Sequence, residues 1–255
     1  WAILCQLREL SYVLPGVLHH HERFDGKGYP DGLKGEEIPL LSRIACLSQT
    51  AEVFLTTYGL TDALTVARDR RGDWFDPQLV DALHAISHDM TFWSTVASGD
   101  VHAEVVRREP PDHIIGADEA TLDRIAIAFA RVVDAKSPWT HRHSEGVAAI
   151  ARGIAGVLVL TPETQHDLWR AGLLHDVGKL GVSNMILDKP GRPTDEERAA
   201  IQRHPDYTFR ILSQIECFGP LAEIAAAHHE RLDGEGYFRG LDDHDLPLPA
   251  RVLAV

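Results

Sequence analysis

No stretch of the 255-residue chain approaches the roughly 18 to 20 consecutive apolar residues that a membrane-spanning helix needs, and the longest candidate, 154–160, is far shorter. No membrane association is therefore expected. Cysteine is scarce: Cys5, Cys46 and Cys217 are scattered and odd in number, and none sits in a CxxC spacing. This excludes a disulfide framework and a thiolate zinc site, and it fits a reducing, cytoplasmic setting. Positive charge is also short. Lys and Arg total 25 against 38 Asp and Glu, a formal charge of -13, which argues against direct nucleic-acid binding through phosphate attraction. Any phosphate chemistry must then come from a local site. Aromatics make up only 7%, while 44% hydrophobic and 25% charged residues place the chain among folded globular proteins.

Self-similarity organises what is present. His20-His-Glu-Arg-Phe-Asp-Gly-Lys-Gly-Tyr-Pro30 is repeated as His228-His-Glu-Arg-Leu-Asp-Gly-Glu-Gly-Tyr-Phe238. The register continues without a gap: Gly32 and Leu33 pair with Gly240 and Leu241, Pro39 and Leu40 with Pro247 and Leu248, and Arg43 with Arg251. Copies about 200 residues apart are too distant for a solenoid and indicate duplication of a whole domain. The chain reads as a fragment, beginning late in one copy and ending late in the next, with no initiator Met at Trp1 and an apolar stretch running to Val255. Residues 1–97 are expected to hold the first copy, 98–118 a connector rich in turn formers, charge and paired prolines, and 119–255 the second copy.

The remainder has helical periodicity. Leu122, Ile125, Ala126, Phe129, Val132 and Val133 recur at helical spacing, as do Val147, Ile150, Ile154 and Val157, and no segment sustains period-two alternation. Thr161-Pro-Glu and Thr194-Asp-Glu-Glu are helix starts, and Asp76-Pro77 suits the start of a helix over 78–86. The expected fold class is all-α, with 25–39 and 233–247 as ordered loops.

The chemistry is concentrated in the second copy, where His143, His175-Asp176, His204 and His228-His229 follow one another in order. Imidazoles and carboxylates without cysteine suit divalent Fe, Mn, Zn or Co, with Fe or Mn favoured. Asp176, with two oxygens, can bridge two ions, and Lys179 three residues on can reach a substrate phosphate. A single histidine is more often a surface or satisfied core residue, and His113, His141, His166 and His244 are read that way. Trp139 and Trp169 are read as core. The ordered set of six is read as ligands.

In this pattern residues 119–255 resemble the HD-GYP branch of the metal-dependent HD phosphohydrolases. The resemblance implies a helical HD bundle that holds two or three divalent ions and hydrolyses cyclic di-GMP through a metal-activated bridging water. Carried over, His143 is the first ligand, His175-Asp176 the HD pair, His204 the middle ligand and His228-His229 the paired ligands. Asp176 and Lys179 are the catalytic groups, and Lys179, Gly236 and Tyr237 contact substrate. Asp134 stands where many relatives carry a Glu that helps a third ion. The pattern is broken at Phe238, where a proline is expected, and the last ligand Asp of the family would lie beyond Val255. Gln49 occupies its place in the first copy, so that copy is read as non-catalytic, with His20, His21 and Tyr29 kept for loop structure. Its Trp74-Phe-Asp-Pro77 is similar to a late Phe-Asp-Pro cap of the family. Two other readings stay open: a phosphohydrolase of another nucleotide or phosphomonoester, and a nucleotide-binding or signalling module without turnover. Oligomeric state is not fixed, and a dimer is left open.

Overall fold

A computed structural model describes residues 3–7, 10–98, 101–108, 117–136 and 142–254. Among them there are helices, 3-10 turns and two isolated bridges, Arg71 with Phe75 and Asp233 with Asp242, and no strand. No helix among the described residues is long and apolar enough to cross a membrane. The chain divides into two compact units, Trp1–Gly116 and Ala117–Val255.

The first unit contains α1 (Leu14–His19), α2 (Leu40–Tyr58), α3 (Leu60–Asp69), α4 (Pro77–Ala85), α5 (Met90–Ser98) and α6 (Val101–Arg108). Cys46 and Leu47 of α2, Ala67 of α3, Phe75 just before α4 and Val80 of α4 form its buried core. Asp76 caps α4 by accepting the amide of Gln78, and Pro77 takes the first helical position, where no donor is needed. Helix α6 lies within the stretch expected as a connector. Turn formers on either side hide it in the composition, but Glu104 meets Arg107 and Arg108 one turn later, a local pairing that supports a short exposed helix. His113, on 109–116, and His141 and Trp139, on 137–141, fall outside the described residues.

The second unit contains α7 (Glu119–Asp134), α8 (His143–Val157), α9 (Pro162–Leu174), α10 (Asn184–Leu187), α11 (Asp195–Ile201), α12 (His204–Ser213), α13 (Ala222–Ala226) and α14 (Leu248–Leu253). Small residues let its central helices approach closely: Ala148, Ala151 and Ala155 of α8 and Ala171 of α9 are fully or almost fully buried beside Leu168, Leu173 and Leu174. Trp169 packs against this core, and His166 bonds Asp123 at 2.9 Å. Thr161 caps α9, and Thr194 with Glu197 closes a reciprocal capping box on α11. His244 is exposed beside Asp243.

Candidate metal centre

The site is built from helix ends. The last carbonyls of a helix lack an intrahelical donor, and three histidines supply one. His175 follows α9 and its Nδ1 lies 2.7 Å from the Gly172 carbonyl. His204 Nδ1 lies 2.7 Å from the carbonyl of Ile201, the last residue of α11. His228 Nδ1 lies 2.7 Å from the Ala225 carbonyl in α13. A carbonyl only accepts, so each Nδ1 carries the proton and each Nε2 keeps a free lone pair. The fold thereby fixes the tautomer that ligates a metal.

Asp176, 2% exposed, lies where these rings converge. Its Oδ1 faces His204 Nε2 at 3.3 Å and His228 Nε2 at 3.7 Å. Its Oδ2 faces His175 Nε2 at 3.2 Å, His143 Nε2 at 3.8 Å and Lys179 Nζ at 2.6 Å. Two ligand groups result, His143 with His175 and Asp176, and His204 with His228 and His229, each with its donor atoms within 4.8 Å of one another. The carboxylate has one oxygen toward each.

The donor set suits divalent ions. Asp176 Oδ1 is buried without a hydrogen bond, an arrangement that is costly unless a cation compensates it. His204 and His228 bring their Nε2 atoms to 2.9 Å. With both Nδ1 protons committed, lone pair faces lone pair unless a proton or a cation lies between them. Burial, reinforced by the neighbouring histidines, pushes His228 well below the usual imidazole range. Burial and His204 push His229 down to about 4, and burial with His175 lowers His143. At neutral pH these rings are bases ready to ligate. Burial opposes ionisation of Asp176, but His175 and His204 when protonated, together with Lys179, outweigh it and hold Asp176 well below the usual carboxylate range.

Asp134 lies outside both groups. It is buried, and its oxygens accept the backbone amide (3.2 Å) and hydroxyl (2.8 Å) of Ser144, anchoring the start of α8 beside His143. Gly236 has a packing role: a Cβ there would meet Glu230 Cα at 2.5 Å and Arg231 N at 2.6 Å. Tyr237 stacks on His229 with centroids 4.5 Å apart and planes at 25°. His143, half exposed, opens with His175, His228 and His229 onto a cavity of about 350 Å³, whose apolar wall includes Val147 and Ile154.

Several positioning residues escaped the sequence reading. Thr208 donates to the His175 carbonyl at 2.8 Å and accepts the Gly178 amide at 3.0 Å, tying the HD turn to α12. Gly178 is required there, because a Cβ would sit 1.9 Å from the His204 carbonyl oxygen. Lys136 donates to the carbonyls of Lys179, Leu180 and Val182 at 2.7–3.0 Å. Glu230, 3% exposed, accepts the amides of Arg239 (2.8 Å) and Leu241 (3.0 Å). Glu230 did carry a signal, since the repeat preserves it: Glu22 accepts the amides of Asp31 and Gly32 at 2.7 and 2.9 Å. The first copy also keeps the His20 Nδ1 contact to the Val17 carbonyl and the stack of His21 on Tyr29.

An HD domain family model matches two stretches, 2–79 and 128–255, one in each copy. The chain belongs to the HD domain family. The HD-GYP resemblance of its motifs lies within that family. This HD domain chain is 42% identical over 248 residues to 3'3'-cGAMP-specific phosphodiesterase 3 of Vibrio cholerae, covering 97% of the chain and 54% of that protein. It is 40% identical over 120 residues to a cyclic di-GMP phosphodiesterase of Thermotoga maritima, covering 46% of the chain and 32% of that protein. A crystal structure of a cyclic GMP-AMP specific phosphodiesterase of V. cholerae matches with a TM-score of 0.69 at 37% identity, over 99% of this chain and 58% of that one. The chain thus spans about half the length of the 3'3'-cGAMP-specific relative.

Proposed function

We propose that the second unit is a metal-dependent phosphodiesterase that hydrolyses a cyclic dinucleotide. The observation that carries this reading is the placement of the two Asp176 oxygens, each facing a different histidine group. His143, His175 and Asp176 would hold one divalent ion, and His204, His228 and His229 with the other Asp176 oxygen a second. Fe or Mn suits the N/O donors. Bound ions would supply Lewis acidity to a water for in-line attack on phosphorus and neutralise charge on the phosphoryl oxygens. The Nδ1–H bonds keep the imidazoles from turning or changing tautomer. Asp176, ionised at working pH, keeps its charge at the centre of the site. Lys179 pairs with Asp176, and with that charge shared by cations its ammonium becomes available to a substrate phosphate. Asp134 is a positioning residue for α8 and His143, and we assign it no third ion.

Two substrates are in contention. The HD-GYP motifs favour cyclic di-GMP. Similarity over 97% of the chain to a relative named as 3'3'-cGAMP-specific favours 3'3'-cGAMP, and Phe238 in place of the motif proline weakens the motif-based choice of cyclic di-GMP. We propose the cyclic dinucleotide class and read the first copy as non-catalytic, because Gln49 stands where a metal-bridging carboxylate is expected. The test is turnover of both dinucleotides by Mn- or Fe-loaded protein and by Asp176→Asn. Loss of one preorganised charge at the reacting centre predicts a fall of at least about a hundredfold. Stoichiometric dinucleotide binding without turnover in the wild type would instead identify a binding module.

A further inference from the structure

We propose that Lys136 is a positioning residue for Lys179: its ammonium gathers the carbonyls of the turn after the HD pair and so holds the Lys179 side chain beside Asp176, where a substrate phosphate would meet it. The substrate part rests on the phosphodiesterase reading above. Lys136 lies just past the end of α7, and its Nζ is 2.8 Å from the Lys179 carbonyl, 3.0 Å from that of Leu180 and 2.7 Å from that of Val182. A carbonyl only accepts. Three acceptors use all three hydrogens of an ammonium, one more than a neutral amine carries, so the contact requires the charged form.

A lysine near a helix C-terminus ordinarily meets the last carbonyls of its own helix. Lys136 instead reaches backbone 43 to 46 residues away. One of its acceptors is the carbonyl of Lys179 itself, in the peptide unit attached to the Lys179 Cα. Displacing that unit would swing the Cα–Cβ bond, and with it the ammonium that stands 2.6 Å from Asp176 Oδ2.

The surroundings give this hold a place in the site. Two residues before Lys136, Asp134 fixes the amide and hydroxyl of Ser144 next to ligand His143. The end of α7 thus braces both the start of α8 and the Lys179 turn. Helix α12 grips the same turn through Thr208, which accepts the Gly178 amide at 3.0 Å, and through Tyr207, whose ring would lie 2.8 Å from a Cβ at Gly181. A turn braced by two elements keeps a long, flexible side chain preorganised, and a preorganised cation is what stabilises charge developing on phosphoryl oxygens.

The test begins with hydrogen exchange on the metal-free full chain. The Lys179 amide donates to the Asp176 carbonyl and the Val182 amide to the Lys179 carbonyl, and in Lys136→Ala both should exchange about tenfold faster. In Mn-loaded protein kcat for the cyclic dinucleotide should fall about tenfold with a smaller change in KM, at unchanged metal content. A double-mutant cycle then asks whether Lys136 acts through Lys179: in a Lys179→Met background, Lys136→Ala should cost no further kcat. Lys136→Arg keeps the charge but presents a planar fork to the three carbonyls, so it should show the same pattern to a smaller extent, and it serves if the alanine variant does not fold. Unchanged exchange rates overturn the proposal. So do additive losses in the cycle, or metal content falling in step with activity, either of which would mark a merely structural residue. If the wild type turns over neither dinucleotide, the phosphodiesterase reading fails, while the exchange rates still decide whether Lys136 holds the Lys179 turn.

Discussion

His175, His204 and His228 each spend one ring nitrogen on a helix-end carbonyl, so that the other is delivered as a lone pair. This links local backbone chemistry to function, and it makes the metal-free site sensitive to acid. His229 takes a proton near 6.5 in the unfolded chain but only at about 4 when folded. Between those values the unfolded state binds more protons, so stability is intact above pH 6.5 and declines as pH falls toward 4. Urea unfolding of metal-stripped protein should show this decline, and His229→Gln should flatten part of it. An unchanged pH profile in the variant would contradict the depressed value. At the same scale, Thr208→Val removes a hydroxyl that satisfies both the Gly178 amide and the His175 carbonyl. Leaving two buried groups unpaired should cost about 2–4 kcal/mol of unfolding free energy, measurable by denaturant titration.

Elements place these residues through close approaches that a sequence reveals only in part. The turn Val177–Gly181 is a 3-10 segment, where side chains three apart eclipse, and this brings Lys179 onto Asp176 at 2.6 Å. Sequence spacing set Lys179 three residues after Asp176 as a group for a substrate phosphate, and its ion pair with Asp176 itself was not anticipated. Gly178→Ala would press a methyl into α12, and a loss of about 3 kcal/mol or more is expected, with metal affinity falling in parallel. If this variant binds metal normally, the coupling of turn to α12 is wrong. The ligand histidines were legible because their type and order are distinctive. Thr208 and Lys136 were not, because each acts on backbone groups of another element, contacts that leave no pattern in composition or period. The helix α6 was missed because its flanks look like a connector. Phe238 could be seen to break a motif, yet its positive φ of 102° could not.

Across the whole chain, the repeat distinguishes a shared scaffold from an added function. Both copies keep the buried glutamate, the close-packed glycine, the histidine–tyrosine stack and an arginine reaching back to a carbonyl, Arg43 to Ile38 and Arg251 to Leu246. Among the described residues both ligand groups lie in the second unit. Ions that bind the folded state should therefore stabilise the second unit, raising its melting temperature in a concentration-dependent way. Chelation should reverse this, which differential scanning calorimetry can follow. A rise confined to the first unit's transition would place the ions elsewhere.

Metal stoichiometry with anomalous scattering at the Fe or Mn edge bears most directly on the convergence of five imidazoles and Asp176. Two ions per chain are expected, one on each side of the Asp176 carboxylate, with occupancy of both reduced in Asp176→Asn. A protein that binds no ion at those positions, or binds equally well without that carboxylate, would contradict the metal centre and the hydrolase reading with it.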